Sequence, residues 1–107
     1  MGLFDFLFKN KKDALTDFKK RGAIILDVRT KKEYDAGNIT GSKNIPLQEL
    51  GSRMGEVKKL DKPIITCCLS GGRSANATKI LKDQGVEAIN GGGWQNLNKK
   101  LLSRNFS

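Results

Sequence analysis

A chain of 107 residues, 37% hydrophobic and with 12 glycines, has the size and composition of one globular domain and leaves no room for a second core. Twenty Lys and Arg against 11 Asp and Glu give a formal charge of +9, which favours anionic partners. The lysines are spread along the chain without a nucleic-acid motif, so no nucleic-acid partner is expected.

Histidine is absent, which excludes Cys–His proteases, Ser–His–Asp hydrolases and most zinc sites. The two cysteines, Cys67 and Cys68, are adjacent and make no disulfide framework; a reduced, cytoplasmic setting is expected. Any cysteine nucleophile must then be activated by backbone dipoles and cations rather than by an imidazole.

Taken in chain order, "MGLFDFLFKNKK" is too short and too charged to span a membrane and lacks the features of a secretion signal. Position 6 is Phe6 rather than the Ser or Thr that a myristoylated Gly2 requires. Residues 1–12 read as an apolar and basic extension that packs on the domain of residues 13–107. An interfacial membrane contact through residues 3–12 is the alternative. "DALTDFKKRG" places Ala14, Leu15 and Phe18 on one helical face, with Gly22 as its stop. Residues 23–28, "AIILDV", form an apolar run suited to a strand buried on both faces of a parallel sheet.

"KKEYDAG" predicts a short helical turn closed by Gly37, and "GSKNIPL" a brief strand ending at Pro46. Residues 47–60 carry Leu47, Leu50, Met54, Val57 and Leu60 at helical spacing, with Gly51 and Gly55 as points of weakness. "KPIITCC" is the second strong strand. "SANATKILKDQ" is a helix with Ala77, Ile80 and Leu81 inward and Gly85 as its stop. "VEAIN" is a further short strand, and "WQNLNKKLL" an amphipathic helix through Trp94, Leu97, Leu101 and Leu102. Strands alternating with helices predict an α/β fold, a parallel sheet of four to five strands flanked by helices and joined by right-handed crossovers.

The chemistry concentrates in "TCCLSGGRS", residues 66–74. In an open parallel sheet the carboxyl ends of the strands form the ligand-binding edge. Here a strand runs into a Gly-rich turn and then a helix, so successive N–H groups and the helix dipole converge on one anion-sized cup. Gly71 and Gly72 let the backbone bend inward, and Arg73 adds forked donors suited to oxyanions. Ser70 and Ser74 can orient the loop or donate to its contents. Arg73 closes a C-x4-R pattern from Cys68 and a C-x5-R pattern from Cys67; the second is the phosphatase spacing.

Counted from Cys68, "CLSGGRS" resembles the active loop of rhodanese-type sulfurtransferases, C-x-S-G-x-R-S. Ser70, Gly71, Arg73 and Ser74 fall in register. Upstream, "LDVRTKKEYDAGNITGSKNIPL" is similar to that family's L-D-V-R, E-Y, G-H-I, G-A and N-I-P-L segments, and "GGGWQNL" to its Gly-Gly-Trp ending. The likeness covers residues 24–97. It departs at Asn38 for histidine, Ser42 for alanine, and Leu69 for a position often polar or charged; Leu69 bears on substrate choice. The phosphatase alternative fits less well, because Thr66 replaces its histidine and Ser70 its glycine.

The resemblance implies a small three-layer rhodanese-like fold. It implies Cys68 as the nucleophile that carries a persulfide, with Leu69, Ser70, Gly71, Gly72, Arg73 and Ser74 as the substrate-binding loop. Asp27, Arg29 and Glu33 take structural roles, Asp27 supporting nearby loops and Arg29 pairing with Glu33. Thiosulfate or a related anion is the implied donor. A thiol, cyanide or a protein cysteine is the acceptor, and neither a metal nor an organic cofactor is called for. A persulfide carrier or docking module with little turnover is the alternative reading, ahead of a phosphatase using Cys67 or a redox pair of the two cysteines.

Overall fold

The computed structural model describes residues 11–103. The expectations for the apolar segment of residues 3–8 lie outside that range. Helix α1 (Lys11–Lys20) has Asp13 in its first turn and Lys19 and Lys20 in its last, complementing the helix dipole at both ends. It buries Ala14, Leu15 and Phe18. Gly22, at φ +78°, ends it in the left-handed conformation glycine favours and turns the chain into β1 (Ile24–Asp27).

Helix α2 (Lys31–Ala36) opens with a reciprocal capping box: the Thr30 hydroxyl accepts from the Glu33 N–H, and the Glu33 carboxylate accepts from the Thr30 N–H. Strand β2 (Lys43–Asn44) follows. The stretch predicted as one helix over residues 47–60 is divided into α3 (Leu47–Leu50), a 3₁₀ turn (Gly51–Arg53) and α4 (Met54–Leu60). The break falls at Gly51, while Gly55 stays inside α4; the tighter turn brings both Leu50 and Met54 to the core. Then come β3 (Ile64–Cys68), α5 (Gly72–Asp83), β4 (Ala88–Gly93) and α6 (Trp94–Leu102).

The four strands form one parallel sheet in the order β2-β1-β3-β4. Each face carries its own apolar layer, which explains why the central strands read as unbroken apolar runs. On one face Leu26, Ile64 and Cys68 meet Leu50, Met54, Val57, Ala77 and Leu81 of α3, α4 and α5. On the other, Ile25, Ile65, Cys67 and Ile89 meet Leu15 and Phe18 of α1 and Leu97 of α6. Burial of each of the Leu, Ile, Val, Met and Phe side chains among them contributes about 1.5–3 kcal/mol. Leu102, expected on the apolar stripe of α6, is 78% exposed, so that stripe ends at Leu101. Among the described residues no helix is long and apolar enough to cross a membrane.

Candidate active site

Cys68 is the last residue of β3, at the carboxyl edge of the sheet, and only 1% of it is exposed. The loop that follows wraps its sulfur with donors. The N–H groups of Gly71 and Ser74 donate to Sγ at 3.0 and 3.4 Å, and the Ser74 hydroxyl lies 3.3 Å away. Burial opposes ionisation of the thiol. The Ser74 hydroxyl and the N–H groups of Ser74, Gly71 and Ser70 outweigh it and hold Cys68 below the ordinary thiol range. The N-terminus of α5, two residues earlier than the predicted start at Ser74, adds its positive end.

Two backbone features make this wrapping possible. Gly71 sits at φ +106°, which turns its N–H toward the sulfur at no side-chain cost. Strand β4 slips by one residue against β3, pairing Thr66 with Asn90 but Cys68 with Gly93. The slip lets the Gly-rich end of β4 lie directly on the loop. A Cβ on Gly91 would stand 2.6 Å from the Thr66 carbonyl oxygen, and one on Gly93 would stand 2.8 Å from that of Leu69.

Behind the loop, the buried Thr66 hydroxyl is 2.8 Å from the Thr78 hydroxyl, and both lie within hydrogen-bonding range of the Ser74 carbonyl. Asn90 accepts from the Ser74 hydroxyl at 2.7 Å and donates to the Gly71 carbonyl at 3.2 Å. Thr66, Thr78 and Asn90 were not singled out from the sequence. The available signal for Thr66 and Asn90 was a polar residue set within an otherwise apolar strand run.

Arg73 meets Glu33 in a two-pronged pair, Nη1 to Oε1 at 2.7 Å and Nη2 to Oε2 at 3.0 Å. The Arg73 guanidinium, helped by the Thr30 N–H, holds the Glu33 carboxyl down at about 2. Arg29 does not form the expected ion pair with Glu33. Its Nε and Nη2 instead grip the Asp27 carboxylate at 2.6–2.9 Å, and it reaches Glu33 only through that residue's carbonyl, at 3.2 Å. The reason is burial: Asp27 is fully buried and requires a charged partner, whereas the Glu33 carboxylate at the start of α2 faces the loop. Arg29 also donates to the Gly37 carbonyl and stacks under Trp94 at 4.6 Å from the ring centre.

Leu69 is 59% exposed beside the loop, and Ser70 and Gly72 are exposed as well. Asn38 donates to the Tyr34 carbonyl, and Ser42 lies 3.0 Å from the Tyr34 hydroxyl, so both departures tie down the end of α2. Cys67 points to the opposite face, fully buried; burial, with Asp27 beside it, pushes its thiol far up.

The family model described as Rhodanese-like domain matches residues 10–100 of the chain. The uncharacterized protein YqhL of Bacillus subtilis is 38% identical over 69 residues, 64% of this chain and 54% of YqhL, so the chain spans about half the length of that relative. The thiosulfate sulfurtransferase GlpE of Pseudomonas fluorescens is 31% identical over 77 residues, covering 69% of this chain and 70% of GlpE. Among solved structures, the human single-domain sulfurtransferase TSTD1 superposes with a TM-score of 0.65 at 28% identity, over 85% of this chain and 94% of that one.

Proposed function

The chain belongs to the rhodanese-like domain family, and from that premise we propose that it transfers sulfane sulfur through a persulfide on Cys68. The observation that carries the reading is the ring of donors around the Cys68 sulfur. Such a ring stabilises a thiolate, and then a persulfide anion, without a histidine. The Cys68 thiolate attacks the outer sulfur of thiosulfate; the S–S bond breaks and sulfite leaves with the electron pair. An acceptor thiolate or cyanide then attacks the outer sulfur of the persulfide, and the Cys68 thiolate is restored. The two half-reactions predict ping-pong kinetics.

The loop N–H groups hold the charge on sulfur in both halves of the cycle and need little rearrangement between them. Arg73, tied to Glu33, fixes the loop and adds positive charge on the path of an anionic donor. With Cys68 almost fully covered, a slim terminal sulfur fits the opening better than a bulky ester. Phosphatase chemistry from Cys67 lacks support, because the loop donors converge on the other cysteine and Cys67 faces the packed core.

Incubation with thiosulfate followed by mass spectrometry tests the reading. One added sulfur atom is expected on Cys68, lost in Cys68→Ala and kept in Cys67→Ala. Sulfur retained by Cys68→Ala, or turnover of para-nitrophenyl phosphate with none of thiosulfate, would overturn it.

A further inference from the structure

Asn90 comes from a different strand than the nucleophile, yet both polar atoms of its side chain reach the segment that wraps Cys68. Its Oδ1 accepts from the Ser74 hydroxyl at 2.7 Å and from the Gly92 N–H at 2.9 Å, and its Nδ2 donates to the Gly71 carbonyl at 3.2 Å. The Gly92 N–H can only donate, so the orientation of the amide is determined. We propose that Asn90 is a positioning residue that sets the Ser74 hydroxyl and the Gly71 peptide around the Cys68 sulfur.

The Ser74 hydroxyl carries a single proton, whose acceptor depends on the state of Cys68. While Cys68 is a thiol, Ser74 gives that proton to Asn90 Oδ1, and its oxygen is free to accept the S–H from 3.3 Å. When the thiol loses its proton to solvent, the hydroxyl turns its own proton to the sulfur. Asn90 Oδ1 then keeps the Gly92 N–H, so neither state leaves a buried polar atom unpaired. Meanwhile the bond from Nδ2 pins the Gly71 carbonyl, holding the loop in the shape that aims the Gly71 and Ser74 N–H groups at Sγ. Asn90 thus acts on the nucleophile through two neighbours at once.

This inference rests on Cys68 as the reactive group, and its test does not require sulfur transfer. The rate of Cys68 alkylation by iodoacetamide is measured across pH in the full chain. Asn90→Ala removes the Ser74–Oδ1 bond, which favours the thiol through one neutral contact, and the Gly71 anchor, which favours the thiolate through two N–H groups. The second loss is the larger, so the profile is expected to move to higher pH and alkylation at pH 7 to slow by ~5-fold. Ser74→Ala is expected to do likewise, and the double variant to be slower than either single one but by less than the product of the two, because the variants share only the Ser74–Asn90 bond. An unchanged or acid-shifted profile in Asn90→Ala, or effects that simply add, would overturn the proposal. Should Asn90→Ala not fold, Asn90→Asp keeps the shape but removes the donor to Gly71 and adds negative charge. Slower alkylation is expected of it, and an unchanged rate counts equally against the idea. A Cys68 that alkylates as expected while taking no sulfur from thiosulfate would sink the transfer reading and leave Asn90 in place.

Discussion

Cys67 and Cys68 are neighbours in sequence and both are buried, but they stand on opposite sides of β3 and meet opposite electrostatics. Beneath the sheet, Cys67 packs with Ile25, Ile65, Ile89 and Leu97, and the charges nearest to it, Asp27 and Arg29, are spent on each other. Among the described residues no ring of N–H donors surrounds that sulfur, and burial together with the adjacent carboxylate pushes its thiol far up. Above the sheet, Cys68 is equally covered, yet what covers it is the donor side of the backbone. Burial alone therefore does not decide thiol reactivity. The orientation of the dipoles that do the burying decides it, and one step along a strand exchanges one set for the other.

The sharpest way to break this contrast is to label the native protein. Iodoacetamide is expected to modify Cys68 at least ~100-fold faster than Cys67, with Cys67 reacting only on unfolding. Comparable labelling of the two cysteines, read by peptide mass mapping, would remove the distinction. Next in size is the inert side. Asp27→Ala leaves the Arg29 guanidinium, with a side chain only 4% exposed, without its partner. A loss of about 3–5 kcal/mol in denaturant unfolding is expected. If the variant folds at low temperature, its Cys68 alkylation profile is expected to stay near that of the parent chain.

The smallest effect is on the reactive side. The Glu33–Arg73 pair is about one-third exposed, so Glu33→Gln is expected to cost under ~1 kcal/mol at pH 7. Its pH dependence is the sharper readout. The folded-state carboxyl is lowered from 4.5 to about 2, so its contribution is fully present above about pH 4.5 and is lost as pH falls toward 2. The stability gap between the parent chain and Glu33→Gln is therefore expected to close over that window. A gap that persists at low pH would show that Glu33 acts through something other than its charge.

Much of the scaffold was legible because its signals are local. The apolar runs ending at Asp27 and Cys68, the α1 stop at Gly22 and the α5 stop at Gly85 each depend on a few adjacent residues, whereas α1 starts at Lys11, two residues before the expected Asp13. The Gly-rich turn after Cys68 likewise signalled, from its own composition, the gathering of backbone N–H groups at that residue. What escaped notice depends on contacts between distant segments. Asn90 lies 16 residues from Ser74, and Glu33 lies 40 from Arg73. Nothing in "VEAIN" says which loop its last residue will meet. Arg29 was assigned the wrong carboxylate for the same reason: Asp27 and Glu33 are both close in sequence, and only burial distinguishes the one that must be paired.

The sequence by itself determined the parallel α/β architecture, the cysteine at a strand end and the glycines that let the backbone close over it, because periodicity and backbone freedom are written residue by residue. Tertiary structure alone decided which partners set that cysteine's charge. The one-residue slip of β4 after Asn90 brings Gly92 and Gly93 against the loop, and the Glu33–Arg73 pair closes it from α2. Electrostatics in a buried cup depends on distances between groups far apart in the chain, and those distances exist only once the sheet has formed.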